Sequence, residues 1–122
     1  MLTWWDNSPY RDVSIYVGGE NRACSQLNLN ASWVDQVSTM GWGLIPTWVG
    51  PQAPCTVCRD CSRMSSDVAA SREEGIHEAD RAASAAASLG LTQGTIIYYD
   101  MERYNPSDAT CSAAVRAFVN GW

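Results

Sequence analysis

Three short apolar runs, separated by segments of helical pattern, constrain this 122-residue chain more than any other feature. Val13–Val17 is followed by Gly18-Gly19, Gly43–Val49 by Gly50-Pro51, and Thr95–Tyr99 by Asp100. Each run is β-branched or aromatic and apolar on both faces, the pattern of a parallel strand covered on both sides. Pro46 counts against a regular central strand unless a bulge accommodates it. Between the runs, Asn30 is placed to cap a helix with Trp33, Val37 and Met40 on one stripe and Gly41 as its stop. Ser66 is expected to cap Asp67–Leu89, in which Val68, Ile76, Ala79, Ala83 and Ala86 share a face that Gly75 and Arg72 weaken. A last helix should open near Asn105-Pro106, with Cys111, Val115 and Phe118 pointing one way. Residues 2 to 7 read as the tail of another helix.

Regular alternation of helix and strand defines an α/β fold with parallel strands. Three strands make a poor independent sheet, because both edges stay open and apolar. The chain therefore reads as an incomplete domain over residues 1–122, expected to aggregate or dimerise if made alone. Residues 50 to 66 form a long loop containing cysteine and proline, and loops of that length in α/β proteins are usually functional.

Composition removes several function classes. Hydrophobic residues make up 46% and charged residues 17%, which is globular and not disordered. The net charge is -5, and the 8 basic residues are scattered arginines, so no basic stripe exists to track phosphates. Neither nucleic acid nor an anionic membrane is expected as a partner. No apolar run of about 18 residues is present, and Met1–Asp6 lacks the basic and apolar regions of a signal peptide. An export signal, if there is one, lies outside this chain.

The 5 cysteines are many for a cytosolic protein of this size, and the odd count leaves one without a partner in the chain. Disulfides and a secreted or cell-wall-associated protein are the expectation. Cys55-x-x-Cys58-x-x-Cys61 has spacing that metal sites use. No fourth ligand is evident, and His77 stands alone in the next helix. Neither a metal nor another cofactor is expected, and the cysteine pairing stays open.

Chemistry points to Tyr98-Tyr99-Asp100-Met101-Glu102-Arg103-Tyr104. Strand side chains alternate, so Tyr98, Asp100 and Glu102 should face one way, with the acidic Cα atoms roughly 6.5 Å apart. Two carboxylates converging on one bond are the equipment of glycoside cleavage, with a separation of about 5 to 5.5 Å for retention and about 6.5 to 9.5 Å for inversion. In barrels, chemistry sits at the C-terminal ends of strands. Other residues at those ends could line a saccharide cleft: Tyr16, Asn21 and Arg22 after the first run, Trp48 and Gln52 after the second, Tyr104 after the third. Aromatic faces pack on sugar rings and polar tips bond hydroxyls. The competing reading for Tyr16 and Trp48 is barrel filling, and for Arg22 a local ion pair.

The stretches Ser8–Cys24, Gly41–Cys55 and Ile97–Tyr104 closely resemble domain of unknown function family 1906. That family is a glycoside-hydrolase-like TIM barrel of secreted actinobacterial proteins, distantly similar to glycoside hydrolase family 25 lysozymes. The resemblance implies a partial (β/α)8 barrel holding its second to fourth strands, without the first strand or the second half. It implies Glu102 as general acid, Asp100 as nucleophile or charge stabiliser, and a polysaccharide or peptidoglycan substrate. A catalytically silent barrel that binds glycan is the alternative. Cys24, Cys55 and Cys111 have familiar surroundings in the family, whereas Cys58 and Cys61 are a local departure.

Overall fold

A computed structural model describes residues 1–122. In chain order the elements are α1 (Leu2–Asn7), β1 (Asp12–Gly18), α2 (Ala31–Thr39), β2 (Gly43–Trp48), α3 (Val68–Ser88), β3 (Tyr98–Tyr99) and α4 (Ala109–Gly121). The strands form one parallel sheet in the order β1-β2-β3. This is an alternating α/β architecture and a partial (β/α) barrel. No helix is long and apolar enough to cross a membrane.

Side-chain alternation sorts the sheet into a covered and an open face. Ile15, Val17 and Trp48 pack with Val34 of α2 and with Ala82 and Leu89 at the end of α3. The opposite face presents Tyr16, Ile45 and Tyr98, each at least 39% exposed. The runs are thus covered on one side, not on both. Pro46 is fully buried in the central strand, and the ladder irregularity falls in β1 between Tyr16 and Gly18, not at the proline. Only Thr47 and Trp48 pair with β3. The next register position would set Ile97 against Pro46, which has no N–H to give, and β3 shrinks to two residues.

Helix starts follow their caps. The Asn30 side chain accepts from the Trp33 N–H as expected. For α3 the cap is Asp67 and not Ser66, since its Oδ1 accepts from the Ala70 N–H at 2.8 Å. For α4 it is Asp108, accepting from Cys111, while Asn105-Pro106 lies in a preceding turn. A carboxylate also complements the positive end of a helix dipole. The buried face of α3 is Ser71, Gly75, Glu78, Ala82 and Ala86, whereas Val68 and Ala83 are exposed. The cause is a close helix crossing. A Cβ at Gly75 would collide with the Phe118 carbonyl of α4, and one at Gly121 with the Arg72 carbonyl of α3. Ser71 Oγ donates to the Ala114 carbonyl at 2.9 Å across the same contact.

A second core ties the loop after β2 to α4: Ala53 and Met64 pack on Cys111, Val115 and Phe118. Tyr99 joins both cores, its ring edge-on to Phe118 and Trp122 at 5.0 and 4.9 Å. Its hydroxyl donates to the Pro51 carbonyl at 2.7 Å. Burial pushes this phenol far above its ordinary range, and the negative charges of Glu78, Glu20 and Glu74 add to the rise against a smaller opposing effect of Arg81. An unfolded chain ionises this tyrosine near pH 10, whereas the folded one keeps its proton. Its contribution to stability is therefore intact below about pH 10 and falls above it, by at most about 1.4 kcal/mol per pH unit. Urea titrations from pH 8 to 11, with Cys24 blocked, should show this loss in the parent and a flatter limb in Tyr99→Phe. Parallel limbs would remove Tyr99 as the cause.

Candidate functional site

The site lies where the three strands end. A cleft of about 250 Å³ is lined by Tyr16, Asn21, Arg22, Ala23, Cys24, Gln26, Val49, Asp100 and Glu102. Each strand contributes: Tyr16 from β1 and the loop after it, Val49 after β2, and the two acids after β3. Asp100 is half-buried and Glu102 exposed. Both border the same hollow although only Tyr98 and Tyr99 are strand.

Gln52 sets the backbone that carries the acids. It is fully buried, and its Nε2 donates to the Asp100 carbonyl at 2.9 Å and to the Gly50 carbonyl at 3.1 Å. Its Oε1 accepts from the Glu102 N–H at 2.6 Å. The Asp100 N–H donates to the Trp48 carbonyl at 2.8 Å. One enclosed amide thus holds the main chain on either side of Met101, which compensates for the short strand. Buried amides must find such partners, and here all of them are backbone or carbonyl groups.

Asn21 serves a similar purpose on the opposite wall. Its Nδ2 donates to the carbonyls of Gly50 and Ser62 at 2.8 and 2.9 Å, and its Oδ1 accepts from the Ser62 N–H at 2.8 Å. The Ser62 hydroxyl is within 2.6 Å of Glu20 Oε1. Arg22 donates to the Tyr16 carbonyl at 3.3 Å. The two ion pairs of the molecule, Arg72–Glu73 and Arg81–Glu78, lie elsewhere, so Arg22 borders the cleft without a carboxylate partner.

Of the residues expected at a saccharide cleft, Tyr16, Asn21, Arg22, Asp100 and Glu102 come together. Trp48 and Gln52 sit inside the wall, at 4% and 0% exposure, and present no face to a ligand. Trp48 Nε1 instead donates to Glu78 Oε2 at 2.6 Å. Glu78 is itself buried and paired with Arg81 at 2.6 Å. A Cβ at Gly50 would meet the Glu78 carboxylate and the Tyr99 hydroxyl, so a side chain there would displace them. Tyr98 stands on the open face of the sheet, and Tyr104 packs against the second core in an antiparallel bridge with Thr56. Cys24 and Gln26 also border the cleft, and no motif in the sequence marks them as cleft residues. The long non-helical stretch after β1 that carries them was the available signal.

Cysteine pairing is now fixed: Cys55–Cys111 and Cys58–Cys61 are disulfides and Cys24 is free and exposed. The three-cysteine motif is therefore split between two bridges. The sulfurs of Cys58 and Cys61 and a carboxylate oxygen of Glu102 all lie within 4.8 Å of one another.

The parallel strands end together at one cleft, the position at which barrel folds carry their sites. The chain belongs to the family described as Rv2525c-like, glycoside hydrolase-like domain, which matches residues 3–122. Neither the curated proteins nor the solved structures include a match.

Proposed function

We propose that this chain is a saccharide-binding, glycoside-hydrolase-like domain that holds peptidoglycan or a related polysaccharide in the cleft between the ends of β1 and β3. The observation that carries this reading is the convergence of an aromatic ring, Tyr16, a cation without an anionic partner, Arg22, and two acids, Asp100 and Glu102, on one hollow. A ring face stacks on a pyranose, and charged tips bond its hydroxyls. Binding ranks above cleavage because Glu102 is exposed on an irregular segment. A general acid of glycoside hydrolysis works from an apolar, water-poor pocket. Hydrolysis, with Glu102 as acid and Asp100 as nucleophile or stabiliser, is the second reading, favoured by the shared cleft. The two disulfides favour a secreted or cell-wall-associated setting.

Co-sedimentation of the full chain with insoluble peptidoglycan tests the proposal. Tyr16→Ala and Arg22→Ala should each weaken retention roughly tenfold, equivalent to about 1.4 kcal/mol. Glu102→Gln should keep most of it, and the parent should release no reducing ends. Unaltered retention in Tyr16→Ala and Arg22→Ala would remove the cleft from the function. Turnover that Glu102→Gln abolishes would move the conclusion to hydrolysis.

A further inference from the structure

Glu102 faces two environments. It borders the cleft, and it also lies against the Cys58–Cys61 disulfide. We propose that reduction of this disulfide creates a three-donor site for a divalent zinc-class cation, formed by the thiolates of Cys58 and Cys61 and the carboxylate of Glu102. Reduction by a dithiol breaks the S–S bond: the dithiol gives two electrons and two protons, becomes a disulfide itself, and leaves Cys58 and Cys61 as thiols. Zinc then binds both sulfurs and releases those two protons to solvent. Water fills the fourth tetrahedral position.

Three observations support the site. Its donors are the right kind, since zinc takes sulfur at about 2.3 Å and carboxylate oxygen at about 2.0 to 2.2 Å. Two thiolates on one tetrahedral ion stand roughly 3.8 Å apart, so the sulfurs separate once the S–S bond is broken, and the Glu102 carboxylate oxygen already lies within 4.8 Å of both. A Cys-x-x-Cys spacing is what lets neighbouring sulfurs share one ion. The backbone at Cys58 and at Glu102 is held independently of the S–S bond. Arg63 Nη2 donates to the Cys58 carbonyl at 2.8 Å, the Cys58 N–H donates to Thr56 Oγ1 at 3.3 Å, and Gln52 fixes the Glu102 N–H. Access also differs between the bridges. Both sulfurs of Cys58–Cys61 belong to half-buried residues, whereas the other bridge pairs half-buried Cys55 with Cys111, 3% exposed within an apolar cluster. A reductant therefore meets two accessible sulfurs at Cys58–Cys61 and one at Cys55–Cys111.

Cobalt(II) is a suitable probe, because thiolate coordination produces a charge-transfer absorption. The full chain, reduced anaerobically with a phosphine until alkylation and mass analysis show Cys58 and Cys61 open, should take up one cobalt ion with that absorption, and zinc should displace it. The oxidised chain should show none. Cys58→Ser/Cys61→Ser should abolish the absorption, and Glu102→Gln, which leaves the disulfide intact, should weaken binding about tenfold or more. In the parent, zinc should protect Cys58 and Cys61 from alkylation, a readout that needs no variant. No absorption in the reduced parent, binding that survives loss of both cysteines, or equal affinity in Glu102→Gln would each overturn the site. Weaker peptidoglycan retention on metal loading would follow only if the saccharide reading also holds, and the cobalt titration is independent of it.

Discussion

Trp48→Ala is expected to destabilise the chain by about 4 kcal/mol, read as a lower urea midpoint with little change in slope. Trp48 is the last residue of β2 and is 4% exposed in the main core. Truncation removes a large apolar surface and leaves a cavity that the surrounding strands and α3 cannot fully close. It also strips the Glu78 carboxylate of its indole donor, leaving only the partly exposed Arg81 as partner. Trp48→Phe separates the two effects, because most of the volume stays while the N–H is lost. A bond to a charged group is worth about 1.5 to 3 kcal/mol, and Trp48→Phe should lose about 2 of them. Coupling between Trp48→Phe and Glu78→Gln, measured as a double-mutant cycle, should be well above the scatter for independent sites. A Trp48→Phe variant as stable as the parent would show that the indole–carboxylate bond contributes nothing.

Cys55→Ser/Cys111→Ser should cost about 4 kcal/mol, against about 2 kcal/mol for Cys58→Ser/Cys61→Ser. The difference follows from loop size. The first bridge joins residues 56 apart and the second residues 3 apart, so the first removes far more freedom from the unfolded chain. The longer bridge also moors the loop after β2 to α4 beside Ala53, Met64 and Phe118. That loop carries Gln52, so amide protons of residues 50–64 should exchange faster once the bridge is lost, and glycan retention should fall with them. Equal costs for the two bridges would contradict the loop-size account.

Particular elements show how much the sequence disclosed. The helix–strand alternation, the Asn30 cap and the Cys111, Val115 and Phe118 stripe all follow local rules, and all are present. The buried face of α3 departs from its apolar stripe because apolar periodicity assumes that large side chains make the contact. Here the contact is made by Gly75 against Gly121's helix and by a polar anchor, Glu78, whose partner is 30 residues away. The third strand is shorter than its apolar run because its length depends on what Pro46 in a neighbouring strand can donate, which is a property of register. In the cleft, residue type indicated which side chains can bond or stack but not with what. An amide such as Gln52 suits a sugar hydroxyl and a peptide carbonyl equally well. Only the fold shows that it addresses peptide groups. The same holds for Trp48, whose ring and N–H are both occupied within the protein.

Gln52 recognises main-chain atoms at positions 100 and 102 and is indifferent to the side chains displayed there. Substitution of either acid therefore leaves the floor of the hollow standing. One skeleton can serve a cutter or a holder of polymer, and crossing between those trades takes a change of side-chain ends with no rebuilding beneath them.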